Sequence, residues 1–266
     1  MKQRRLSKVF SSAYLIVILL FIYLPIGYLV LFSFNEGKSM TNFSGFSLKW
    51  YESMFQNRMM IESITTTLIV AVVATVVSTV VGTVAAIGLS KAKRLVRSIV
   101  MEVNNLPVMN PDIVTAIGLM LLFISVKFQL GMVSLILSHI SFCIPYVILT
   151  VMPKLRQLDD NVAEAALDLG ATPWKALTKV IIPQIMPAIL SGALIAFSMS
   201  LDDFVVSYFN AGVGINTISM YVYSMKRYNL SVNAMSTLIV VTVTLVLVLA
   251  NLIPWIKDKK TKKEEP

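Results

Sequence analysis

Six long apolar runs constrain what this chain can fold into more than any other feature of its sequence. A segment of about 20 apolar residues is long enough to cross the hydrocarbon core of a bilayer as a helix. By that rule we predict transmembrane helices over residues 12–34, 63–90, 99–125, 131–152, 184–209 and 234–256. Only 14% of the 266 residues are charged, against about 25% in soluble globular domains. The sequence therefore predicts an all-α polytopic membrane protein.

The distribution of Lys and Arg predicts how these helices are oriented. Short loops that are rich in basic residues stay in the cytoplasm. The N-terminus, the 91–97 loop, the 153–183 loop and the basic tail at 257–266 together hold 17 of the 23 Lys and Arg residues. Both termini and the 153–183 loop are therefore predicted to be cytoplasmic. The same clustering accounts for the net charge of +9, so we do not expect nucleic acid as a partner.

Two of the apolar runs differ in composition from the others. The second run is rich in Thr, Ser, Val, Ala and Gly, and small residues let neighbouring helices approach closely. We therefore expect the second helix to lie centrally in the bundle. The last run is rich in Val and Leu with few polar groups, so we expect it to be peripheral and lipid-facing.

Two prolines interrupt the third apolar run within the sequence LPVMNPDIV. A proline in a membrane helix frees backbone carbonyls that neighbours or water must satisfy, so such breaks are tolerated where they line a cavity. Asp112 follows the second proline, about 14 residues or roughly 20 Å past the basic loop at about 1.5 Å per residue. A carboxylate at that depth predicts a role in a substrate pathway. The alternative is that Asp112 caps the helix that restarts after the proline.

The fifth run ends in two adjacent acids, Asp202 and Asp203, towards the outer mouth. Adjacent side chains on a helix point about 100° apart, so we expect one of the two carboxylates to face the pathway. Phe204 and Tyr208, which are one turn apart, would supply aromatic faces for a cation.

Both the acids and the single histidine have an interpretation without a substrate. The two acids would lie at the membrane interface and pair with Lys226 or Arg227. His139, in the fourth run, is expected to hydrogen-bond to a neighbouring helix rather than to relay protons, because a relay needs further titratable groups within reach.

The polar stretch between the fourth and fifth runs, NVAEAALDLGATPWKALTKVIIP, carries the signals of two short helices. Asn161 is placed to cap the first helix, with Glu164 completing a capping box, and Gly170 stands where a left-handed helix end would fall. Thr172 is placed to cap the second helix and Pro183 to end it. We therefore predict a helix, a tight turn and a second helix that form a docking surface.

Sequence motifs for catalysis, nucleotide binding and metal binding are missing from the chain. It has no G-x-x-x-x-G-K-[ST] loop and no G-x-S-x-G elbow, and a single histidine cannot form H-E-x-x-H. Cys143 is the only cysteine, which excludes disulfides within the chain and cysteine-based metal sites. We predict no catalytic residue, metal or cofactor in this chain. That absence fits a transporter subunit whose energy comes from another polypeptide.

The polar stretch resembles a known family motif. The letters EAA beginning at Glu164, three residues, Gly170, nine residues and VIIP ending at Pro183 resemble the EAA loop of binding-protein-dependent ABC importer permeases, EAA-x3-G-x9-I-x-L-P. The two departures are valine for isoleucine and isoleucine for leucine. The resemblance implies a type I importer permease, with residues 1–266 as one transmembrane domain and 153–183 as the cytoplasmic coupling loop. The residues that would fit a groove on an ATPase are Glu164, Ala165, Ala166 and Gly170.

Three further stretches, PVMNPDIV, SLDDFVVSYF and NTISMYVYSM, are similar to those of spermidine/putrescine permeases, in particular the second permease subunit. The resemblance implies polyamine import across the bacterial cytoplasmic membrane, with a substrate pathway along Asp112, Asp202, Asp203, Phe204 and Tyr208. The implied partners are a homologous second permease, a cytoplasmic ATPase dimer that binds ATP and Mg²⁺, an extracytoplasmic polyamine-binding protein and membrane lipid. The alternatives are a permease for an iron, thiamine or phosphonate type of solute, and an ion-coupled secondary carrier.

Overall fold

The structure is a computed structural model, and it describes residues 2–159, 161–225, 228–245 and 248. Its helices are α1 Lys2–Ser33, α2 Lys49–Gln56, α3 Arg58–Lys91, α4 Arg94–Met109, α5 Asp112–Ser125, α6 Met132–Arg156, α7 Asn161–Asp168, α8 Pro173–Ala176, α9 Ile182–Asp202, α10 Val205–Asn210, α11 Ile218–Ser224 and α12 Ser231–Leu245. Within those residues the only β pairing is one isolated bridge between Asn35 and Phe46. The predicted all-α class is confirmed.

Several of these helices are long and apolar enough to cross a membrane. The four such segments are Tyr14–Ser33, Arg58–Lys91, Met132–Arg156 and Pro173–Asp202. A fifth crossing arises if α4 and α5 count as one span, although they are bent by 106° at their junction. Helix α12 is shorter, and most of the predicted run beyond it lies outside the described residues. The chain is thus a multi-pass membrane protein by its helices, while six spans and the side of the termini stay predictions.

Contacts divide the chain into two units, of which the first combines residues 1–61 and 225–266. In this unit the side-chain amide of Asn35 donates hydrogen bonds to two carbonyls of the loop after α1. The indole of Trp50 on α2 donates to the Asn35 carbonyl at 2.7 Å, and its ring lies in an apolar cluster with Phe32, Leu230 and Ala234. Helix α12 differs from the prediction, because residues 231–235 are buried and strong exposure begins only at Leu238.

The second unit, Glu62–Ser224, is built around α6, which packs against α4, α5, α9 and α10. At the centre of its core, Val147 of α6 is fully buried between two glycines. A Cβ atom on Gly82 of α3 would lie 2.8 Å from the Cβ of Val147, and one on Gly192 of α9 would lie 3.4 Å from its Cα. The small residues of α3 therefore do let two helices approach closely, as the composition of this run predicts.

This close approach predicts opposite effects of the same substitution at two glycines of α3. Gly82→Ala should lower the stability of the purified protein by about 1–3 kcal/mol, because the added methyl group overpacks against Val147. Gly88→Ala is the matched control: it meets open space, and alanine is the better helix former by about 1 kcal/mol. Thermal unfolding in detergent measures both, and a Gly82→Ala protein as stable as Gly88→Ala would contradict the packing described here.

Candidate functional site

The first break in the bundle lies between α4 and α5, at Asn110 and Pro111. The residue before a proline is driven out of the helical region, and Asn110 is accordingly extended, with φ −80° and ψ 146°. Pro107, in contrast, lies inside α4. Asp112 is the first residue of α5 and is exposed, and the described residues make no hydrogen bond to its carboxylate. The geometry favours a carboxylate open to the break over the alternative in which Asp112 caps α5.

The second break lies between α9 and α10, inside the predicted helix 184–209. Asp203 leaves the helix with φ −60° and ψ 133°. Its carboxylate accepts the backbone N–H of Val206 at 3.2 Å and that of Ser207 at 2.7 Å. These N–H groups open α10, so Asp203 caps this helix and satisfies donors that the break would leave without partners.

His139 fixes this break from the side of α6. The ring is fully buried, with Nδ1 2.7 Å from the Ser200 hydroxyl and Nε2 3.0 Å from the Ser207 hydroxyl. Nε2 also lies 3.6 Å from Oδ2 of Asp203. The histidine therefore ties α6 to α9 and α10 through hydrogen bonds, as expected from the sequence.

The two breaks face a common cavity of about 430 Å³, which we call the acidic cavity. It brings Asp112 together with the adjacent pair Asp202 and Asp203, which follows about 90 residues later in the chain. Its other lining residues are Pro107, Thr115, Phe142, Tyr146, Met199, Phe204 and Val205. None of the residues that line it is basic, so its walls carry three carboxylates without a compensating side-chain charge.

Aromatic rings surround Phe204 beside the acidic cavity. The ring centroid of Tyr208 lies 5.5 Å and that of Tyr223 lies 4.7 Å from the centroid of Phe204. Tyr208 itself does not line the cavity, and it is 55% exposed. Tyr223 was not among the predicted residues, because it lies on α11 and periodicity along one helix cannot place it beside α10. The alternative ion pairs of the two acids with Lys226 or Arg227 lie outside the described residues.

Carboxylates next to aromatic faces are suited to binding an organic cation. The carboxylates attract positive charge, and the ring of Phe204, which lines the same cavity, supplies an aromatic group for a cation–π contact. A metal ion would need a tighter cluster of ligands. In the part of the chain that the structure describes, no three His, Cys, Asp or Glu side chains are placed to hold one.

The segment between α6 and α9 forms the predicted helix and tight turn, with a different cap. Helix α7 has Asn161 as its first residue, so Asn161 is not its N-cap, and the Asp159 carboxylate accepts the Asn161 N–H at 3.0 Å. At its other end Gly170 adopts φ +82°. The N–H groups of Gly170 and Ala171 donate to the carbonyls of Leu167 and Ala166 at 2.9 and 3.0 Å, which is a Schellman motif.

The second short helix of this segment does not end where the sequence predicts. Thr172 caps α8 by accepting the Lys175 N–H at 3.3 Å, as expected. Pro183 does not end the helix, because a π-helical turn, Leu177–Ile181, connects α8 directly to α9. The wider turn accommodates a residue without an N–H, and the side chain of Gln184 donates to the Val180 carbonyl at 3.0 Å. The result is one helical segment, Pro173–Asp202.

Apolar side chains are exposed on residues 161–183, which we call the docking segment. Leu169 is 89% and Trp174 is 72% exposed. Glu164, Ala165 and Gly170 are exposed as well, and Ala166 is half-buried. The residues predicted for docking therefore form an open surface at the end of the helix that leads to Asp202.

The fold resembles that of solved transport proteins. A bacterial ABC transporter involved in the import of the acidic polysaccharide alginate matches with a TM-score of 0.73, at 16% identity, over 96% of this chain and 97% of that chain. A bacterial alginate ABC transporter in complex with alginate pentasaccharide-bound periplasmic protein matches with a TM-score of 0.71, at 17% identity, over 93% of each chain. These likenesses support the type I importer permease fold.

Relatives at higher identity are known by sequence. The spermidine/putrescine transport system permease protein PotC of Haemophilus influenzae is 36% identical over 91% of this chain and 95% of its own length. The putrescine transport system permease protein PotI of Escherichia coli is 36% identical over 96% of this chain and 94% of its own length. A family model described as binding-protein-dependent transport system inner membrane component matches residues 78–262. The chain belongs to this family of membrane transport permeases.

Proposed function

We propose that the chain is the transmembrane permease subunit of an ATP-driven, binding-protein-dependent importer of polyamines such as spermidine and putrescine. The observation that carries the proposal is the acidic cavity, where Asp112, Asp202 and Asp203 meet without a basic side chain. The names of the relatives agree with this substrate class.

A polyamine suits the chemistry of the acidic cavity. Its ammonium groups are separated by short methylene chains, so it presents both positive charges and apolar stretches. The cavity wall offers partners for both, with Phe142 and Met199 lining it together with the carboxylates. Asp112 and Asp202 are exposed, and solvated carboxylates bind cations weakly enough for the substrate to leave again.

The energy for transport would come from other subunits. We propose that a cytoplasmic ATPase dimer binds ATP and Mg²⁺, that this chain binds no cofactor and catalyses no reaction, and that a homologous second permease completes the pathway. An extracytoplasmic binding protein would deliver the polyamine. The complex of the alginate transporter with its periplasmic protein supports such a partner by analogy of fold.

The distribution of basic residues supports one arrangement in the membrane. We propose that residues 1–266 form one domain of six spans in the bacterial cytoplasmic membrane, with both termini and the 153–183 loop in the cytoplasm. In this arrangement Glu164, Ala165, Ala166 and Gly170 face the ATPase. The acidic cavity then lies towards the outer side.

The helical segment Pro173–Asp202 offers a direct mechanical link between the two sites. At about 1.5 Å per residue, its 30 residues extend about 45 Å from the docking surface to Asp202. When ATP binding closes the ATPase dimer, α7 and α8 would move as a rigid body, and this segment would carry the motion to the break at Asp203. Opening and closing of the acidic cavity would follow.

The exposed carboxylates provide the first test of this function. Asp112→Asn and Asp202→Asn should each lower spermidine uptake by about tenfold at subsaturating substrate, since a lost interaction of roughly 1.4 kcal/mol is a factor of ten. Glu102→Gln, an acid on α4 that does not line the cavity, should leave uptake unchanged. Uptake is measured in proteoliposomes that contain the assembled transporter. Normal uptake by a variant that combines Asp112→Asn with Asp202→Asn would show that the cavity does not select a polycation.

Asp203 is predicted to behave differently from its neighbour. Asp203→Ala should lower the free energy of unfolding by about 2 kcal/mol or more, because it removes two hydrogen bonds between backbone N–H groups and a carboxylate. Thermal unfolding in detergent measures this loss as a lower melting temperature. Asp203→Asn keeps one acceptor oxygen and should lose less. Asp202→Ala is the control and should unfold at the wild-type temperature. Equal melting temperatures for Asp203→Ala and Asp202→Ala would contradict the capping role.

The docking surface is tested at Gly170 and Glu164. Gly170→Val should abolish ATP-driven uptake while the protein still reaches the membrane, because valine cannot adopt φ +82° without strain. Glu164→Lys should have the same effect by reversing an exposed charge on α7. Gly88→Val on α3, where the side chain would meet open space, is the matched control. Uptake in proteoliposomes without ATP or the ATPase would instead identify an ion-coupled carrier and refute the coupling role.

A further inference from the structure

A second cavity, of about 300 Å³, lies at the opposite end of α9 from the acidic cavity, and we call it the basic cavity. It lies where α3 and α6 end and α4 begins. Lys91, Arg97 and Arg156 line it, together with Ser90 of α3 and Gln184 of α9. Among the described residues that line it, the one acidic residue is Asp159, whose carboxylate already accepts the Asn161 N–H. Among these residues the two guanidinium groups of Arg97 and Arg156 outnumber the carboxylates.

The two arginines of the basic cavity are available to an anion. Within the part of the chain that the structure describes, neither Arg97 nor Arg156 forms a salt bridge. A guanidinium group binds a phosphate through two parallel N–H···O hydrogen bonds, which makes arginine the preferred residue for such a ligand. Arg97 lies in the first turn of α4 and Arg156 is the last residue of α6. Basic side chains beside the ends of apolar helices are placed as they are in proteins that bind anionic headgroups.

An apolar groove shares Arg156 with the basic cavity. It has a volume of about 340 Å³ and is lined by Met101 of α4 and by Leu149, Met152 and Pro153 of α6. A ligand with one anionic group and an attached hydrocarbon chain would fill both spaces, whereas a free phosphate would fill only the first.

We propose that the basic cavity binds the phosphate group of an anionic phospholipid, with an acyl chain of that lipid in the groove between α4 and α6. The proposal does not depend on the transported solute. Since Val162 of α7 also lines the basic cavity, the lipid would contact the docking segment and the bundle at once. Anionic lipid would then hold α7 in its orientation against the bundle.

Binding of defined lipids to the purified full-length protein tests this site. Native mass spectrometry counts bound phosphatidylglycerol, with phosphatidylcholine as the zwitterionic lipid of comparable chain length. The double variant Arg97→Gln with Arg156→Gln should bind phosphatidylglycerol on the order of 30-fold more weakly, given about 1 kcal/mol for each basic residue at the surface. Arg94→Gln with Lys154→Gln removes two charges from the same helix ends outside both cavities, and its affinity should stay near wild type.

Two soluble ligands distinguish the contribution of the lipid headgroup to the affinity from that of its acyl chain. Inorganic phosphate and glycerophosphoglycerol, which carry no acyl chain, should bind at least tenfold more weakly than phosphatidylglycerol. Arg97→Lys with Arg156→Lys keeps both charges but loses the paired guanidinium hydrogen bonds, so its lipid affinity should lie between that of the wild type and that of the Gln variant. Unfolding of the Gln variant at the wild-type temperature excludes misfolding as the cause of its loss. Soluble phosphate that binds as tightly as the lipid would make this a free-anion site and overturn the proposal. So would equal loss in the Arg94 and Lys154 control, or displacement of the lipid by a co-purified protein.

Discussion

Backbone hydrogen bonds that cannot be made to lipid are the constraint on which the rest of this structure depends. In a membrane, every N–H and C=O group released by a broken helix must find a partner inside the protein or in a water-filled space. The described helices are broken at Asn110 and at Asp203 and widen into a π turn at Leu177–Ile181, and each of these irregularities has a local solution. At Asn110 the break opens onto a cavity, at Asp203 a carboxylate accepts the freed donors, and before Pro183 a π turn keeps the helix continuous.

These solutions also determine where the charged groups of the protein lie. A break that must face a cavity places Asp112 in that cavity, and the cap of α10 brings Asp203 to the same place from the junction of α9 and α10. His139 and the hydroxyls of Ser200 and Ser207 complete the second break with buried hydrogen bonds, so its geometry is fixed by α6. The acidic cavity is thus a consequence of how the helices are interrupted, and hydrogen bonds hold Asp203 in place at the second interruption.

Local signals in the sequence were sufficient for much of this arrangement. The all-α class, the break after Asn110, the turn at Gly170 and the cap at Thr172 follow from the chemistry of single residues and their neighbours, so they could be predicted. The end of the second short helix could not, because Pro183 acts as a helix terminator in isolation and only the preceding π turn accommodates it. Tyr223 was missed for a related reason: its contact with Phe204 depends on how α11 returns beside α10, which no local pattern encodes.

The two adjacent acids show most clearly what packing adds to such local signals. On a continuous helix Asp202 and Asp203 would point in different directions, but the helix ends between them, and both carboxylates reach the same cavity. Asp203 is held by two backbone N–H groups, so part of its charge is already satisfied, while Asp202 is exposed. A site with three fully free carboxylates would bind a polycation tightly and release it slowly. In the function proposed above, using one of the three to cap α10 would weaken the attraction for a polycation and ease its release. Because this cap directly follows the segment Pro173–Asp202, the shape of the cavity would depend on the position of that segment.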